Sequence, residues 1–237
     1  MEHAAKDLVE VCRARPTGKI ALALCGGKTP ASLYARLARR FVGQVPWDRL
    51  EVFFGDERNV APDDPESNYR LASQSLLAQV PLPSEQVHRF RGESQDLERE
   101  ARRYEAEIRA RVTAGPCGIP AFDLIWLGLG ADGHTASLFP KTAALEEERR
   151  LVVANEVPAI GARRLTFTFP LLNAARKVQF LVVGAEKALM VRWILGPAAR
   201  HPSRDLPALR VRPLQGELEW VLDRDAAAGM EESDLIA

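Results

Sequence analysis

The chain has 237 residues, of which 46% are hydrophobic and 27% charged, and its formal net charge is zero. This composition is ordinary for a globular protein, and a chain without excess charge has no global field that would draw it to nucleic acid or to a membrane. Its cysteines are too scattered for a disulfide framework or a cysteine-rich metal site; they are Cys12, Cys25 and Cys117. The first residues carry no leader pattern and no apolar run approaches about 18 residues, so we expect a soluble, cytoplasmic protein.

Helical and strand patterns alternate along the chain. Apolar residues at helical spacing predict helices over residues 3–14, 30–41, 71–77, 94–112 and 185–195. Short apolar runs predict strands over residues 19–25, 50–54, 122–127, 151–157, 164–169 and 178–183, with a further apolar segment at 218–222. The alternation predicts one α/β domain over residues 1–237, with a mostly parallel sheet covered on both faces and a frayed end from about residue 230.

Three of the predicted strands end in glycine-rich or charged turns, after Cys25, Phe54 and Leu127. Because parallel strands end at the same edge of a sheet, these turns are expected to gather there. Open α/β sheets bind their ligands at that edge. The sequence therefore predicts a functional site built from these three turns.

Residues 26–30, GGKTP, have the chemistry of a phosphate site. Glycine lets a ligand approach the backbone, N–H groups at a helix N-terminus attract anions, and the lysine and threonine add donors. The candidate phosphate-binding residues are therefore Gly26, Gly27, Lys28 and Thr29. Thr29 is also the predicted N-cap of the next helix, and a plain capped turn is the alternative. A nucleotide P-loop is excluded because Leu22 stands where that motif needs glycine.

Residues 128–140, GLGADGHTASLFP, follow a predicted strand and contain a candidate catalytic pair, Asp132 and His134. Histidine titrates near neutral pH, which suits general acid–base chemistry. The first six letters match the dinucleotide pattern GxGxxG, but Asp132 would place a carboxylate where a pyrophosphate must lie. Pro140 also leaves too little room for the long helix of such a site. We therefore reject a dinucleotide site.

Charged residues at other predicted strand ends are further candidates. Asp56 and Arg58 follow the strand at 50–54, and arginine suits bidentate recognition of phosphate or carboxylate. A solvated ion pair in a loop is the alternative. Arg164 and Lys187 are additional cationic candidates, with ordinary surface charge as the alternative.

The remaining histidines indicate no site. They have no supporting residues near them and are expected at the surface or in packing roles; they are His3, His88 and His201. No cluster has metal-ligand spacing, so no metal is expected. Asp56, Asp132 and His134 could still meet in space.

Together, these segments resemble the 6-phosphogluconolactonase family, the lactonases of the oxidative pentose phosphate pathway. The resemblance spans nearly the whole chain, and its block at residues 132–140, DGHTASLFP, is highly specific. The other matching segments are residues 26–30, 54–58, 67–70, 163–166 and 184–188, and the ending Arg212, Pro213, Gly216, Trp220 and Asp223. One departure is Lys28, where the family usually has serine.

The resemblance implies a Rossmann-like, three-layer α/β domain, similar in fold to glucosamine-6-phosphate deaminases. It also implies that no cofactor is needed and that the substrate is 6-phospho-D-glucono-1,5-lactone. It assigns the catalytic histidine to His134. The 6-phosphate is expected on Arg164 and Lys187, together with the turn at residues 26–29.

For this reaction, His134 is expected to act as the general base that takes a proton from the water attacking C1. Either Asp132 or Asp56 would orient the imidazole, and sequence spacing does not decide between them. Backbone N–H groups near residues 128–130, or Arg58, would stabilise the oxyanion.

Two other functions remain open. A glucosamine-6-phosphate deaminase or isomerase would share the fold, the phosphate site and the Asp-Gly-His core, although residues 56–58 and 135–140 favour the lactonase. A non-catalytic sugar-phosphate sensor would keep Lys187 but could lose His134, which is present. The sequence does not predict an oligomeric state.

Overall fold

The computed structural model describes residues 1–196 and 206–230, which contain two β-sheets and six α-helices. The strands are β1 (Ile20–Leu24), β2 (Leu50–Phe54), β3 (Asp56–Arg58), β4 (Leu124–Leu127), β5 (Val152–Val157), β6 (Ala162–Phe167), β7 (Lys177–Val182) and β8 (Glu217–Leu222). The helices are α1 (Glu2–Ala14), α2 (Lys28–Arg36), α3 (Asn68–Ser75), α4 (Leu97–Arg111), α5 (Phe169–Leu172) and α6 (Ala188–Leu195). A π-helical turn, Leu37–Phe41, continues α2. Within the described ranges, no helix has the length and apolar character needed to cross a membrane.

A fully parallel five-stranded sheet, in the order β2-β1-β4-β7-β8, forms the centre of the fold. Every residue of β1, β2 and β4 is buried, as expected for strands covered by helices on both faces. Because the strands are parallel, β2, β1, β4 and β7 end side by side along one edge, which we call the carboxyl edge. The predicted α/β fold with a mostly parallel sheet is confirmed.

A second sheet contains three short antiparallel strands in the order β3-β6-β5. Gly55 joins the two sheets, since its N–H donates to the carbonyl of Leu24 at 2.9 Å and its carbonyl accepts the N–H of Phe167 at 2.8 Å. The sequence predicted strands at 151–157 and 164–169, but it predicted neither β3 nor a separate sheet.

Two buried tyrosines fix the ends of β1 and β2 at the carboxyl edge. The Tyr34 hydroxyl donates to the carbonyl of Cys25 at 2.7 Å and accepts the N–H of the same residue at 3.1 Å. The Tyr104 hydroxyl accepts the N–H of Phe54 at 2.9 Å and donates to the carbonyl of His88 at 2.7 Å. Burial raises the pKa of both phenols well above the ordinary value, so both stay protonated. Each bond contributes about 1 kcal/mol, and together they hold the residues from which the neighbouring turns begin.

His88 is buried between two carboxylates, partners that its position in the sequence did not indicate. Its Nε2 lies 2.6 Å from Glu51 and its Nδ1 lies 2.8 Å from Glu107. The ring packs against Phe53 with a centroid distance of 4.5 Å. The hydrogen bond from His88 lowers the pKa of Glu107 to about 2, with burial opposing the shift and Arg103 adding to it. His88 therefore links β2 to α4.

The start of α4 differs from its predicted boundary. α4 begins later than predicted because Asp96, not Ser94, caps it; the Asp96 carboxylate accepts the N–H of Arg99 at 2.9 Å. The predicted frayed end covers residues 230–237, of which 231–237 lie outside the described residues, as does His201.

Candidate active site

Four segments follow the carboxyl ends of the neighbouring strands β2, β1, β4 and β7; they are residues 55–58, 26–29, 128–134 and 184–187. Every site residue predicted from the sequence lies in one of these segments except Arg164. That residue is opposite Arg58 in the register of β6 and β3. The fold therefore brings all the candidates to the carboxyl edge, the position at which open α/β sheets bind ligands.

In the loop after β4, the imidazole of His134 is hydrogen-bonded through only one of its nitrogens, Nδ1, within the described residues. Nδ1 lies 2.5 Å from Oδ1 of Asp132, and the same oxygen accepts the backbone N–H of His134 at 3.1 Å. The ring stacks on Phe139 with a centroid distance of 4.0 Å and remains 29% exposed. Nε2 makes no hydrogen bond with any described residue, so it is the nitrogen available to a ligand or to water.

The Asp132 carboxyl is ionised at neutral pH. Partial burial raises its pKa, but the hydrogen bond and the charge of His134 outweigh burial, and the net pKa lies below the ordinary value. An ionised carboxylate can only accept a hydrogen bond, so Nδ1 must carry the hydrogen. In the neutral ring, Nε2 then carries the lone pair that can accept a proton.

Gly130 lies directly against this pair, where no side chain fits. A Cβ at this position would lie 2.1 Å from Nδ1 of His134 and 2.6 Å from Oδ1 of Asp132. Its N–H donates to the carbonyl of His134 at 2.8 Å, so this N–H is not free to stabilise an oxyanion. In the sequence, Gly130 stands out only as the second glycine of the GxGxxG pattern. In the structure, glycine is needed at this position because the imidazole of His134 packs directly against it.

Arg58 and Arg164 are neighbours without an acidic partner. Arg58 donates to the carbonyl of Glu66, Arg164 donates to the carbonyl of Arg163 at 3.1 Å, and neither forms an ion pair within the described ranges. Burial lowers the pKa of Arg164, and the charge of Arg58 lowers it further. Asp56, Glu57 and Glu66 act on the pKa of Arg164 in the opposite direction, but none of them forms an ion pair with Arg164. Adjacent guanidinium groups without ion pairs suit the binding of an anionic group.

Asp56 is buried and does not contact the imidazole. Its Oδ1 accepts a hydrogen bond from Nδ2 of Asn68 at 3.1 Å, and its Oδ2 accepts the hydroxyl of Ser137 at 2.7 Å. Among the described residues, it forms no hydrogen bond or ion pair with His134. Of the two carboxylates that the sequence left open, Asp132 is the one bonded to the imidazole.

Asn68 connects Asp56 to the first turn. Its Nδ2 also donates to the carbonyl of Asp56 at 2.9 Å, and its side chain packs so closely on Gly26 that a Cβ there would lie 1.7 Å from Oδ1. Glu57 places Asn68 by accepting the N–H groups of Asn68 and Tyr69, both at 2.8 Å. Burial raises the pKa of Glu57 despite these donors. Glu57 thus helps to cap the N-terminus of α3. The absence of a side chain at Gly26 leaves the space that the Asn68 side chain occupies.

The segment at residues 26–29 starts α2 earlier than predicted. The N-cap is Gly27, whose φ of 108° favours glycine, and the Thr29 side chain caps nothing, so the predicted Thr29 cap is wrong. The glycine can take this conformation without strain, which lets the helix begin at Lys28. The first-turn N–H groups of a helix lack helical acceptors and suit an anion. Lys28 is exposed, and within the described residues it has no ion-pair partner.

Lys187 ends the short helical turn Ala185–Lys187, which leads into α6. Gly184 allows this turn with a φ of 107°, and its N–H donates to Oδ1 of Asp223 at 3.1 Å. Lys187 is half-buried and has no ion-pair partner in the described part of the chain. It therefore joins Arg58, Arg164 and Lys28 as a cation of the carboxyl edge that forms no ion pair within the described residues.

One group of side chains in the described ranges has the spacing for a metal ion, namely His3, Asp7 and Glu219, whose ligand atoms lie within 4.8 Å of one another. These carboxylates already accept bonds from Gln179, and Lys177 lies 3.0 Å from Glu219. These hydrogen bonds and the ion pair explain why the three side chains lie together, without a metal ion. Asp56, Asp132 and His134 do not form such a group there.

The carboxyl edge of this open parallel sheet thus carries a histidine–aspartate pair and several cations that form no ion pair within the described ranges. This arrangement is expected of an enzyme that acts on a phosphorylated metabolite. The chain belongs to the family described as glucosamine-6-phosphate isomerases/6-phosphogluconolactonase, whose model matches residues 1–220. The matched range contains all the candidate site residues.

Relatives of known name are similar over most of their length. The 6-phosphogluconolactonase of Synechocystis sp. is 44% identical over 213 residues, which cover 90% of this chain and 85% of that protein. The 6-phosphogluconolactonase of Nostoc sp. is 40% identical over 217 residues, with the same coverage of 90% and 85%. The structure of 6-phosphogluconolactonase from Trypanosoma cruzi matches with a TM-score of 0.82 at 32% identity, covering 97% of this chain and 92% of that one.

Proposed function

We propose that this chain hydrolyses 6-phospho-D-glucono-1,5-lactone to 6-phospho-D-gluconate, the lactonase reaction of the oxidative pentose phosphate pathway. The observation that carries the proposal is the bond between His134 and Asp132, which leaves Nε2 available as a base. The relatives named above support this substrate. Arg164, which forms no ion pair within the described ranges, suits its phosphate group.

In the proposed reaction, Nε2 of His134 takes a proton from the water molecule that attacks C1 of the lactone. Asp132 stabilises the imidazolium that forms, as a carboxylate does for a catalytic histidine in a hydrolase. The C1–O5 bond then breaks, and the imidazolium returns the proton to the ring oxygen. The reaction consumes one water molecule and converts one ester into one acid and one hydroxyl group.

The phosphate and the developing oxyanion are assigned to different cations. Arg164 and Lys187 hold the 6-phosphate together with the turn at residues 26–29, where the N-terminus of α2 adds its N–H groups. Arg58 stabilises the oxyanion. Binding energy from the remote phosphate thereby orients C1 towards the base.

We infer a cytoplasmic location and no nucleic-acid or membrane partner. The described cysteines are all free, which is usual for a protein in a reducing compartment. The net charge of zero supports neither a nucleic-acid surface nor a membrane surface.

The family description also names glucosamine-6-phosphate isomerases, so a deaminase or isomerase is the second candidate. The deciding experiment incubates the purified protein with freshly made lactone and follows acid release against spontaneous hydrolysis. A parallel reaction follows ammonia release from glucosamine 6-phosphate. We expect acceleration of the first reaction only. Ammonia release without lactone hydrolysis would establish the second candidate, and saturable binding of 6-phosphogluconate without either reaction would indicate a sensor.

A further inference from the structure

Ser137, three residues after His134, is fully enclosed by the three-stranded sheet. It is 1% exposed, and each of its polar groups is bonded to a different strand. Its N–H donates to Oγ1 of Thr166 on β6 at 3.1 Å, and its carbonyl accepts from Nδ2 of Asn155 on β5 at 2.8 Å. Its hydroxyl donates to Oδ2 of Asp56 on β3 at 2.7 Å. All three strands of the second sheet therefore hold this one residue.

The residue before it shows why such a support is needed. Ala136 has a φ of 48°, in the left-handed region that residues other than glycine avoid. This conformation costs about 1–2 kcal/mol, and it persists only where the surroundings fix it. The N–H of Ser137, which directly follows Ala136, is the first group bonded to the second sheet. The bonds of Ser137 therefore fix the strained turn at Ala136, which connects His134 to that sheet.

Both carboxylate oxygens of Asp56 have hydrogen-bond donors other than the imidazole. One carboxylate oxygen accepts from Asn68 and the other from Ser137, and the side chain is 7% exposed. The Ser137 hydroxyl is bonded to this carboxylate and not to His134, and Ser137 is only 1% exposed, so the hydroxyl is not placed to attack a substrate as a nucleophile.

We propose that Ser137 is a positioning residue that keeps His134 and Asp132 in their reactive geometry, and that Asp56 acts through Ser137 and not on the substrate. The proposal rests on the proposed lactonase function for its kinetic consequences. Its structural consequence, a fixed loop at residues 128–140, does not depend on the substrate.

The first test replaces Ser137 by alanine, which removes only the bond to Asp56. The free energy of a hydrogen bond to a charged group corresponds to roughly a tenfold to hundredfold change in an equilibrium or rate constant. We expect kcat for the lactone to fall by that factor. KM should stay within about twofold, since the phosphate contacts are intact. The matched control is Thr168→Val, which removes a fully buried hydroxyl bonded to the carbonyl of Arg150 at 2.6 Å. The control should lose stability but keep kcat.

Two double variants separate positioning from general destabilisation. If Ser137 acts through the histidine, Ser137→Ala should cause no further loss of rate in the His134→Ala protein. If Asp56 acts through Ser137, Ser137→Ala should cause little further loss in the Asp56→Ala protein. Losses that multiply in either background would overturn that part of the proposal.

Amide hydrogen exchange tests the same idea without substrate. In Ser137→Ala, amides of residues 130–138 should exchange faster, while those of β1 and β4 should not change. If the wild-type protein hydrolyses no lactone, the proposed function fails, but this exchange measurement still decides the role of Ser137. Should Ser137→Ala not fold, Thr166→Val removes the acceptor of the Ser137 N–H and serves as the second variant. Unchanged exchange together with unchanged kcat would refute the positioning role.

Discussion

Replacing Gly130 by alanine should slow turnover by displacing the imidazole, without unfolding the protein. The new Cβ would lie 2.1 Å from Nδ1 and 2.3 Å from Cε1 of His134, whereas an ordinary contact needs 3.4 Å or more. The ring must therefore move by about 1 Å, a displacement that costs roughly 10²-fold in rate when it separates a catalytic group from its target. Gly130 does not have a positive φ, so alanine meets no backbone strain there.

The assay compares kcat and KM for lactone hydrolysis, with circular dichroism to check the fold. Gly128→Ala is the matched control, since this glycine lies in the same loop, has no positive φ, and has no atom within 4 Å of an added Cβ. We expect the control to keep its activity and Gly130→Ala to lose about two orders of magnitude in kcat. A Gly130→Ala enzyme with the wild-type kcat would refute the placement of the reactive imidazole against this glycine.

Three further predictions concern the base, the phosphate site and acid stability. His134→Ala should lower turnover by roughly 10²–10⁴-fold with the fold intact, and near-wild-type lactone hydrolysis by this variant would remove the base assignment. Lys187→Ala should mainly raise KM, and an unchanged KM for the phosphorylated lactone would exclude the residue from the phosphate site. The pKa of Glu107 is lowered from 4.5 to about 2, so its ionised form stabilises the protein fully above pH 4.5 and loses this effect as the pH falls towards 2. Urea unfolding between pH 4.5 and pH 2 measures this effect: the free energy of unfolding should fall less in Glu107→Gln than in the wild type. Equal decreases in the two proteins would show that the contact between Glu107 and His88 adds no stability.

Four of the five strands of the central sheet, β1, β2, β4 and β7, could be predicted because they are short, mostly apolar runs of the usual length. β2 was predicted with its observed bounds, Leu50–Phe54, and the turns after β1, β2 and β4 do meet at one edge. The start of α2 was wrong because a glycine N-cap has no side-chain signal, whereas Thr29 has a strong one.

The second sheet could not be predicted, because its short strand β3 is entirely charged and pairs only through tertiary contacts. For the same reason, the sequence could not decide between Asp132 and Asp56. Both carboxylates precede or follow glycine turns, and only the pairing of β3 with β6 brings Asp56 to Ser137 and leaves Asp132 with the imidazole. The role of Gly130 depends likewise on a ring packed against its Cα.

The paired guanidinium groups of Arg58 and Arg164 have a consequence for product release. In the proposed reaction, lactone hydrolysis creates a new carboxylate, so the product carries one more negative charge than the substrate. Arg58 and Arg164 form no ion pair within the described ranges. If these cations bind the substrate as proposed, they are expected to retain the product more strongly. Because ions in solution screen this attraction over about 10 Å at 0.1 M, we expect the release of 6-phosphogluconate to become faster as ionic strength rises.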